Sequence, residues 1–464
     1  MKRLLALLPL LLATGCAQIA PGATPAEPVD AATLGLAASP VQWPAADWWQ
    51  RYEDPQLNRL VEQAVAGSPS LLAAQARVAQ ANAAAAQARA DLLPSVTGNY
   101  GLTRQRYSGN YIYPPPLGGS VGSDNRLALD FSYEIDFWGK HRAEHEAALS
   151  RVQSAEAEAR AAHNLLASAV VRSYLNLQNA FAQQQVIADT VRQREEVAQL
   201  TRDRQAAGLD TQVEVKQAES ALAAAKVEAV QVQTRLAVGR NQLAALAGGG
   251  PELARGIQAA ALRRLPLAVP DTLPIELLGH RPDVVAARWR AEAAQKDIQS
   301  ARAAFYPNVN LSAFLGFASL STGNLLNAGS RMGGIGPAIS LPIFEGGRLN
   351  AALAGRRAES DLAVADYNDT VLTAVHQVAD AVDALRLLGD ESQAQTQARA
   401  AVEEAYALAL DRYRSGLGNY LSVLIAQDGV LQQRRQETDL RLRGYQLDAD
   451  LAYALGGGYA PDAS

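Results

Sequence analysis

The stretch Leu127-Ala128-Leu129-Asp130-Phe131-Ser132-Tyr133-Glu134-Ile135-Asp136-Phe137 has a large apolar side chain at every odd position and a small or acidic one at every even position. Successive side chains of a strand point to opposite faces, so this reads as a strand with one greasy and one wet face. Weaker alternation, interrupted by Gly and Pro, runs through 96–104, 309–317 and 335–343. Each run is about 10 residues long, which matches one tilted crossing of an outer membrane. Strands are therefore expected at 95–106, 124–137, 308–318 and 335–344, with exposed loops at 107–125 and 319–334.

Working outward from these strands, the chain repeats itself after a little over 200 residues. Leu71, Ala74, Arg77, Arg89 and Pro94 fall opposite Val284, Ala287, Arg290, Arg302 and Pro307. Phe137-Trp138-Gly139-Lys140 matches Phe344-Glu345-Gly346-Gly347, and Asp203-Arg204, Gly208-Leu209 and Gly248 match Asp411-Arg412, Gly416-Leu417 and Gly456. Two copies in one order mean duplication, at a period far too long for a solenoid. Each copy opens with a helix begun by Ser68-Pro69 or Arg281-Pro282, since proline is preorganised for a first turn. Those helices stop at Pro94 and Pro307.

After each strand pair the period returns to that of a helix. Long helices are expected at 140–207 and 348–415, each roughly 100 Å at 1.5 Å per residue. They end at the glycine turns Gly208 and Gly416 and return as shorter helices at 211–247 and 419–455. Thr211-Gln212-Val213-Glu214 reads as a capping box for the first return helix, and Asn419 can cap the second.

The first residues read as a secretion signal: Lys2 and Arg3, an apolar run 4–12 too short to span a bilayer, then Ala13-Thr14-Gly15-Cys16. Cys16 is the one cysteine, so no internal disulfide framework is possible. The segment resembles a bacterial lipoprotein signal, which implies lipidation of Cys16, although Ala13 stands where that pattern usually has Leu. An ordinary cleaved signal is the alternative. The expected organisation is a signal at 1–15, a tether at 16–45, a first repeat at 46–250, an equatorial linker at 251–280, a second repeat at 281–458 and a tail at 459–464. Beyond the signal no apolar run approaches the roughly 20 residues of a transmembrane helix, so any crossing must use strands. The net charge of −5 offers no basic footprint for nucleic acid.

Four strands cannot close a membrane barrel, whose smallest examples have about 8. An open sheet would leave two unpaired edges in lipid, so the chain must oligomerise around a symmetry axis. Two copies would supply eight strands and three would supply twelve; spacing does not choose between them. With the apolar positions towards lipid, Asp130, Glu134 and Asp136 face the lumen.

Short motifs now carry a resemblance. Asp54-Pro55-Gln56-Leu57, Asp136-Phe137-Trp138-Gly139-Lys140, Leu277-Leu278-Gly279-His280-Arg281-Pro282-Asp283, Leu341-Pro342-Ile343-Phe344-Glu345-Gly346-Gly347-Arg348 and Tyr413-Arg414-Ser415-Gly416 occur in the order found in TolC-like outer-membrane factors of tripartite efflux pumps. The chain resembles the OprM/NodT lipoprotein branch over nearly all of its mature length. The resemblance implies a mainly α protomer that adds four strands and two helical hairpins to a trimeric, twelve-stranded β-barrel above a periplasmic α-barrel. It implies an exit duct for drugs or other small molecules, anchored in the outer membrane and extending into the periplasm. The expected partners are two further copies, a periplasmic adaptor, an inner-membrane transporter of the RND type and outer-membrane lipid, with no cofactor. Ducts for metal ions or for protein secretion belong to the same class.

In that family the turns between long helices meet the adaptor. Here these turns are Gly208-Leu209-Asp210-Thr211 and Gly416-Leu417-Gly418-Asn419. Relatives commonly carry aspartates just after the second turn, but the matching positions here are Gly418, Ser422 and Ile425. The expected gate is therefore an apolar constriction at Leu421, Ser422 and Ile425, with Asp428 one turn deeper as an electrostatic contributor.

Two rival readings differ in class. A lipid-anchored periplasmic scaffold would use the long helices without conducting, against which the amphipathic strands argue. His141-Arg142-Ala143-Glu144-His145 fits the H-x-x-E-H zinc motif, but no third ligand is evident and the segment follows a membrane strand. No phosphate loop and no Ser nucleophile elbow is found, so neither catalytic nor metal residues are assigned and transport energy must come from a partner.

Overall fold

A computed structural model describes residues 19–22, 24–36, 41–263 and 274–460. The signal, Cys16, part of the linker and the last four residues lie outside these.

Helix α1 (Pro55–Gly67) is started by Asp54, whose side chain accepts the Gln56 N–H, with Pro55 in the first turn. Then follow α2 (Pro69–Ala90), β1 (Ser95–Arg106), β2 (Val121–Glu134), α3 (Lys140–Ala206) and α4 (Gln212–Leu246). The second half repeats the order with α5 (Pro282–Ala303), β3 (Asn308–Ser319), β4 (Arg331–Ser340), α6 (Arg348–Arg414) and α7 (Tyr420–Ala454). The long helices are 67 residues in both halves and the return helices 35 in both.

The strands form one antiparallel meander in the order β1-β2-β3-β4. Two strands differ from expectation. β4 begins at Arg331 rather than 335 and ends at Ser340 rather than 344. Its first residues pair with β3 as Phe317↔Arg331 and Leu315↔Gly333, but Gly333, Gly334 and Gly336 have no side chains to show alternation. Past Ser340, Pro342 has no N–H for a ladder. β2 begins earlier, pairing Val121 with Arg106, and ends at Glu134. Beyond it the Ile135 N–H still reaches Val309 O at 2.9 Å, but the Phe137 N–H turns back to Ile135 O.

The chain divides into two compact units that cut across the two repeats. One contains the sheet and comprises the described residues up to Pro28, Arg77–Glu156 and Ala286–Asn368. In it Phe305 packs with Leu349 and Leu353, Ala85 packs with Ala148 and Val152, and Ser154 Oγ donates to Ala286 O at 3.0 Å. Part of the expected tether, residues 20–27, is strapped to α6 in this unit. Ala20 N–H donates to Asn350 Oδ1 at 3.0 Å, Arg357 Nη1 to Ala20 O at 3.2 Å, Ala26 N–H to Asp361 Oδ1 at 2.9 Å and Asn368 Nδ2 to Glu27 O at 3.0 Å.

The other unit comprises Val29–Ala76, Ala157–Val285 and Asp369–Ser464. Its main core gathers Tyr52, Leu57, Val61, Tyr174, Leu175, Leu177, Leu236 and Leu243, which joins α1 to the α3/α4 hairpin. Buried polar ties fix it further. Asp448, with 1% of its side chain exposed, pairs with Arg51 at 2.6 Å and accepts the Tyr52 hydroxyl at 3.0 Å. The α6/α7 hairpin is held differently: Arg399 with Glu437, Arg434 with Glu403 at 2.9 Å, Arg443 with Glu391 at 2.9 Å, and Gln395 with Gln433.

Candidate functional site

The strand register sorts the sheet into two chemically distinct faces. Val96, Phe131, Ala313 and Ile335 form one cross-strand row, and Gly98, Leu129, Leu315 and Gly333 the next on the same face. Tyr133, Leu311 and Pro337 continue it. On the opposite face Thr97, Asp130, Phe314 and Gly334 share a row, as do Ser95, Ser132, Ser312 and Gly336. The apolar face is exposed, with Leu129, Leu315, Ile335 and Ile339 open to the surroundings. Both outer strands, β1 and β4, have an unpaired edge.

Of the three acids expected on the wet face, Asp130 and Glu134 lie there. Asp130 pairs with Arg126 at 2.7 Å and accepts from Asn99 Nδ2 at 2.7 Å. The Arg126 guanidinium lies 5.9 Å from the centroid of Phe314, an aromatic ring on the polar side. Arg126 was legible in the sequence, because a residue four positions from Asp130 shares its face. Asp136 is a correction: it lies past the end of β2, and its carboxylate accepts the Arg142 N–H at 2.9 Å in the first turn of α3. It caps a helix and is not part of the strand's polar row.

Glu134 stands 2.9 Å from His141 Nε2 and 3.6 Å from Lys140 Nζ, while His141 Nδ1 is 3.2 Å from Glu144 Oε2. Both ring nitrogens of His141 thus meet carboxylates, and Glu144 also accepts from Ser300 Oγ on α5 at 2.8 Å. Among the described residues no group of three or more His, Cys, Asp or Glu is placed to hold a metal ion.

At the hairpin tips Gly208 and Gly416 take left-handed φ angles of 74° and 75°, and the Leu209 and Leu417 N–H groups close the helix ends onto Arg204 O and Arg412 O. Thr211 and Glu214 form the expected capping box, and Asn419 Oδ1 accepts the Ser422 N–H at 3.0 Å. The Thr211 hydrogen bond, joined by backbone N–H groups, holds the Glu214 carboxyl below the usual glutamate range.

A connection missed in the sequence ties the two tips together. Asp210 pairs with Arg204 at 2.9 Å and accepts the Tyr413 hydroxyl, which also lies 3.2 Å from Thr201 Oγ1. The Arg204 guanidinium sits 4.5 Å over the Tyr413 ring. Burial, followed by the bond to Asp210, pushes the Tyr413 phenol up to about 12. The Asp210 side chain is only 9% exposed, while Leu209 and Thr211 of the first turn and Leu417 and Asn419 of the second are exposed.

Leu421, Ile425 and Asp428, spaced four and three apart on α7, share one helix face and are exposed. Ser422 and Ile425 line a shallow space with Val402, Ala405 and Ala409 of α6. Asp428 instead lies in a groove with Lys216 and Glu228 of α4, where it pairs with the buried Arg194 at 2.5 Å. Arg194 also donates to Ala221 O, so one guanidinium joins α3, α4 and α7. Leu421 is exposed in the first turn of α7.

A sheet apolar on one face, polar on the other and unpaired at both edges, continued by two long helical hairpins, is the protomer fold of an outer-membrane channel. Residues 60–249 and 273–457 match the outer membrane efflux protein family, and the chain belongs to that family. It is 38% identical over 358 residues to the fusaric acid resistance protein FusA of Burkholderia cepacia, covering 75% of this chain and 68% of that one. It is 32% identical over 465 residues to the multidrug resistance outer membrane protein MdtP of Escherichia coli K12, covering 97% and 94%. The crystal structure of the outer membrane protein VceC from Vibrio cholerae superposes with a TM-score of 0.86 at 38% identity, over 90% of this chain and all (100%) of that one. The open-state MtrE outer membrane channel of Neisseria gonorrhoeae gives 0.78 at 26% identity, over 97% and 100%. The chain is an outer-membrane efflux channel protein, and the resemblance read from its motifs holds.

Proposed function

We propose that three copies close their sheets edge to edge into one barrel, forming the passive exit duct of a tripartite efflux assembly. The observation that carries this reading is the sheet, whose apolar band and two open edges are untenable in lipid until neighbouring copies pair with them. The polar face then lines the lumen, with Asp130 and Glu134 on its wall and Asp136 at its helical end.

The exposed Leu209 and Leu417 at the tips support docking of a periplasmic adaptor there, beside an inner-membrane transporter of the RND type. The gate is assigned to Leu421, Ser422 and Ile425, with Asp428 acting through Arg194 as a tie between hairpins. Lipidation at Cys16 anchors the chain to the outer membrane. The names of the relatives, multidrug and fusaric acid resistance, favour small organic molecules as cargo over metal ions or proteins. No catalytic role is assigned. Purified protein should have the native mass of three copies and conduct ions in planar bilayers; a dimeric mass, or silence in the bilayer, would overturn the reading.

A further inference from the structure

The two faces of the sheet differ in the sign of their charges. On the face that bears Val96, Leu129 and Leu315, the strands carry Arg104, Arg106 and Arg331 and no acid. All three arginines are exposed, and all lie at the loop end: Arg106 closes β1 and Arg331 opens β4. Arg104 stands opposite Ser123, Arg106 opposite Val121 and Arg331 opposite Phe317, so no carboxylate shares their rows. Asp124, opposite Thr103, falls on the other face. The loops that join β1 to β2 and β3 to β4, at 107–120 and 320–330, hold no charged residue.

Within one copy β1 and β4 are the two edges of the sheet. Three strand spacings separate them, about 14 Å, so a base on each cannot hold the same small anion. Closure edge to edge sets β1 of one copy beside β4 of the next, at one spacing of about 4.8 Å. Each seam then gathers Arg104 and Arg106 of one copy with Arg331 of the next on the lipid side. Charges on an edge strand commonly keep copies apart. Here these edges must pair, and like charges meeting across a strand pair destabilise it. An anion of more than one charge, seated among the guanidinium groups, would offset that repulsion.

The surroundings specify the anion further. Guanidinium forks engage phosphate oxygens in pairs. Directly towards the sheet centre from Arg104, Tyr100 and Leu102 are 58% and 54% exposed on the same face, a surface for an acyl chain. A phosphomonoester carries about 1.5 to 2 negative charges near neutral pH, more than a diester. With the helices on the periplasmic side, the loop end meets the outer leaflet. We infer that each seam between copies holds the phosphomonoester of an outer-leaflet lipid through Arg104 and Arg106 of one copy and Arg331 of the next. The inference rests on edge-to-edge closure and goes beyond it by naming a ligand and the residues each copy supplies.

The test is native mass spectrometry of full-length protein in detergent, titrated with dioleoyl phosphatidic acid, a phosphomonoester. Trimers should take up one lipid per seam, in preference to phosphatidylglycerol, a singly charged diester. Arg106→Gln and Arg331→Gln, on opposite edges, should each weaken uptake by about tenfold, as expected for a lost charge-assisted hydrogen bond. Arg255→Gln removes the same charge from an exposed pair with Glu252 in the other unit and should leave uptake unchanged. Equal uptake of phosphatidylglycerol, or equal weakening by Arg255→Gln, overturns the site. A loss with Arg106→Gln but not with Arg331→Gln would mean that one edge suffices, which also overturns it. Displacement by equimolar inorganic phosphate would make the ligand a free anion and remove the lipid. A trimeric mass without bound lipid sinks this site and leaves the duct standing, whereas a monomeric or dimeric mass sinks the duct itself.

Discussion

Single side chains do two kinds of work at the tips, and each has its own test. Glu214 is held below the ordinary glutamate value of 4.5 by its bond to Thr211, so its contribution is present above that value and is lost as pH falls through its lower folded value. Hydrogen exchange at the start of α4 should accelerate as pH drops below the ordinary glutamate range, after correction for intrinsic rates. Glu214→Gln should flatten that response. At the proposed gate, Asp428→Ala leaves a nearly buried guanidinium without its carboxylate, at a cost of about 1–3 kcal/mol, and should loosen α7 from α3. Ile425→Ser and Leu421→Ser should raise single-channel conductance more than Asp428→Ala does; the opposite ranking would make Asp428 the principal barrier. Asp428 could be found from the sequence, but its partner could not. Arg194 lies more than 200 residues away, and no local pattern links the two. The same distance hid the Tyr413 bond to Asp210.

Elements that look alike in sequence are held together in different ways. The two hairpins have equal lengths and each has an apolar cluster, Leu175, Leu177, Leu236 and Leu243 in α3/α4 and Val378, Val382 and Leu451 in α6/α7, yet α6/α7 is laced by Arg399–Glu437, Arg434–Glu403 and Arg443–Glu391 where α3/α4 carries Lys226–Glu195. Raising salt from about 0.1 to 1 M shortens the Debye length from ~10 to ~3 Å. Protection against hydrogen exchange in α7 should fall over that range while α4 changes little; equal loss in both would show that the ion pairs contribute nothing. Helix ends were legible because Pro69, Pro282, Gly208 and Gly416 act locally. Strand ends were not, because β4 owes its first residues to pairing with β3. Asp136 failed for a related reason: perfect alternation ran on through Phe137, but the ladder stopped at Glu134 and a helix terminus took the carboxylate.

At the scale of the molecule, the duplication was plain from spacing, and the wet and greasy faces followed from one strand. What spacing could not reveal is that residues 20–27 are fastened to α6. Four hydrogen bonds of the strap span between 330 and 341 positions of sequence. Residues 20–27 can therefore be fastened only once α6, in the last third of the chain, has formed. With each bond worth about 0.5–1.5 kcal/mol, the strap can also peel away without unfolding what lies beneath it. The strap thus closes only over a finished α6, so protection of residues 20–27 from proteolysis would report that this part of the chain has folded.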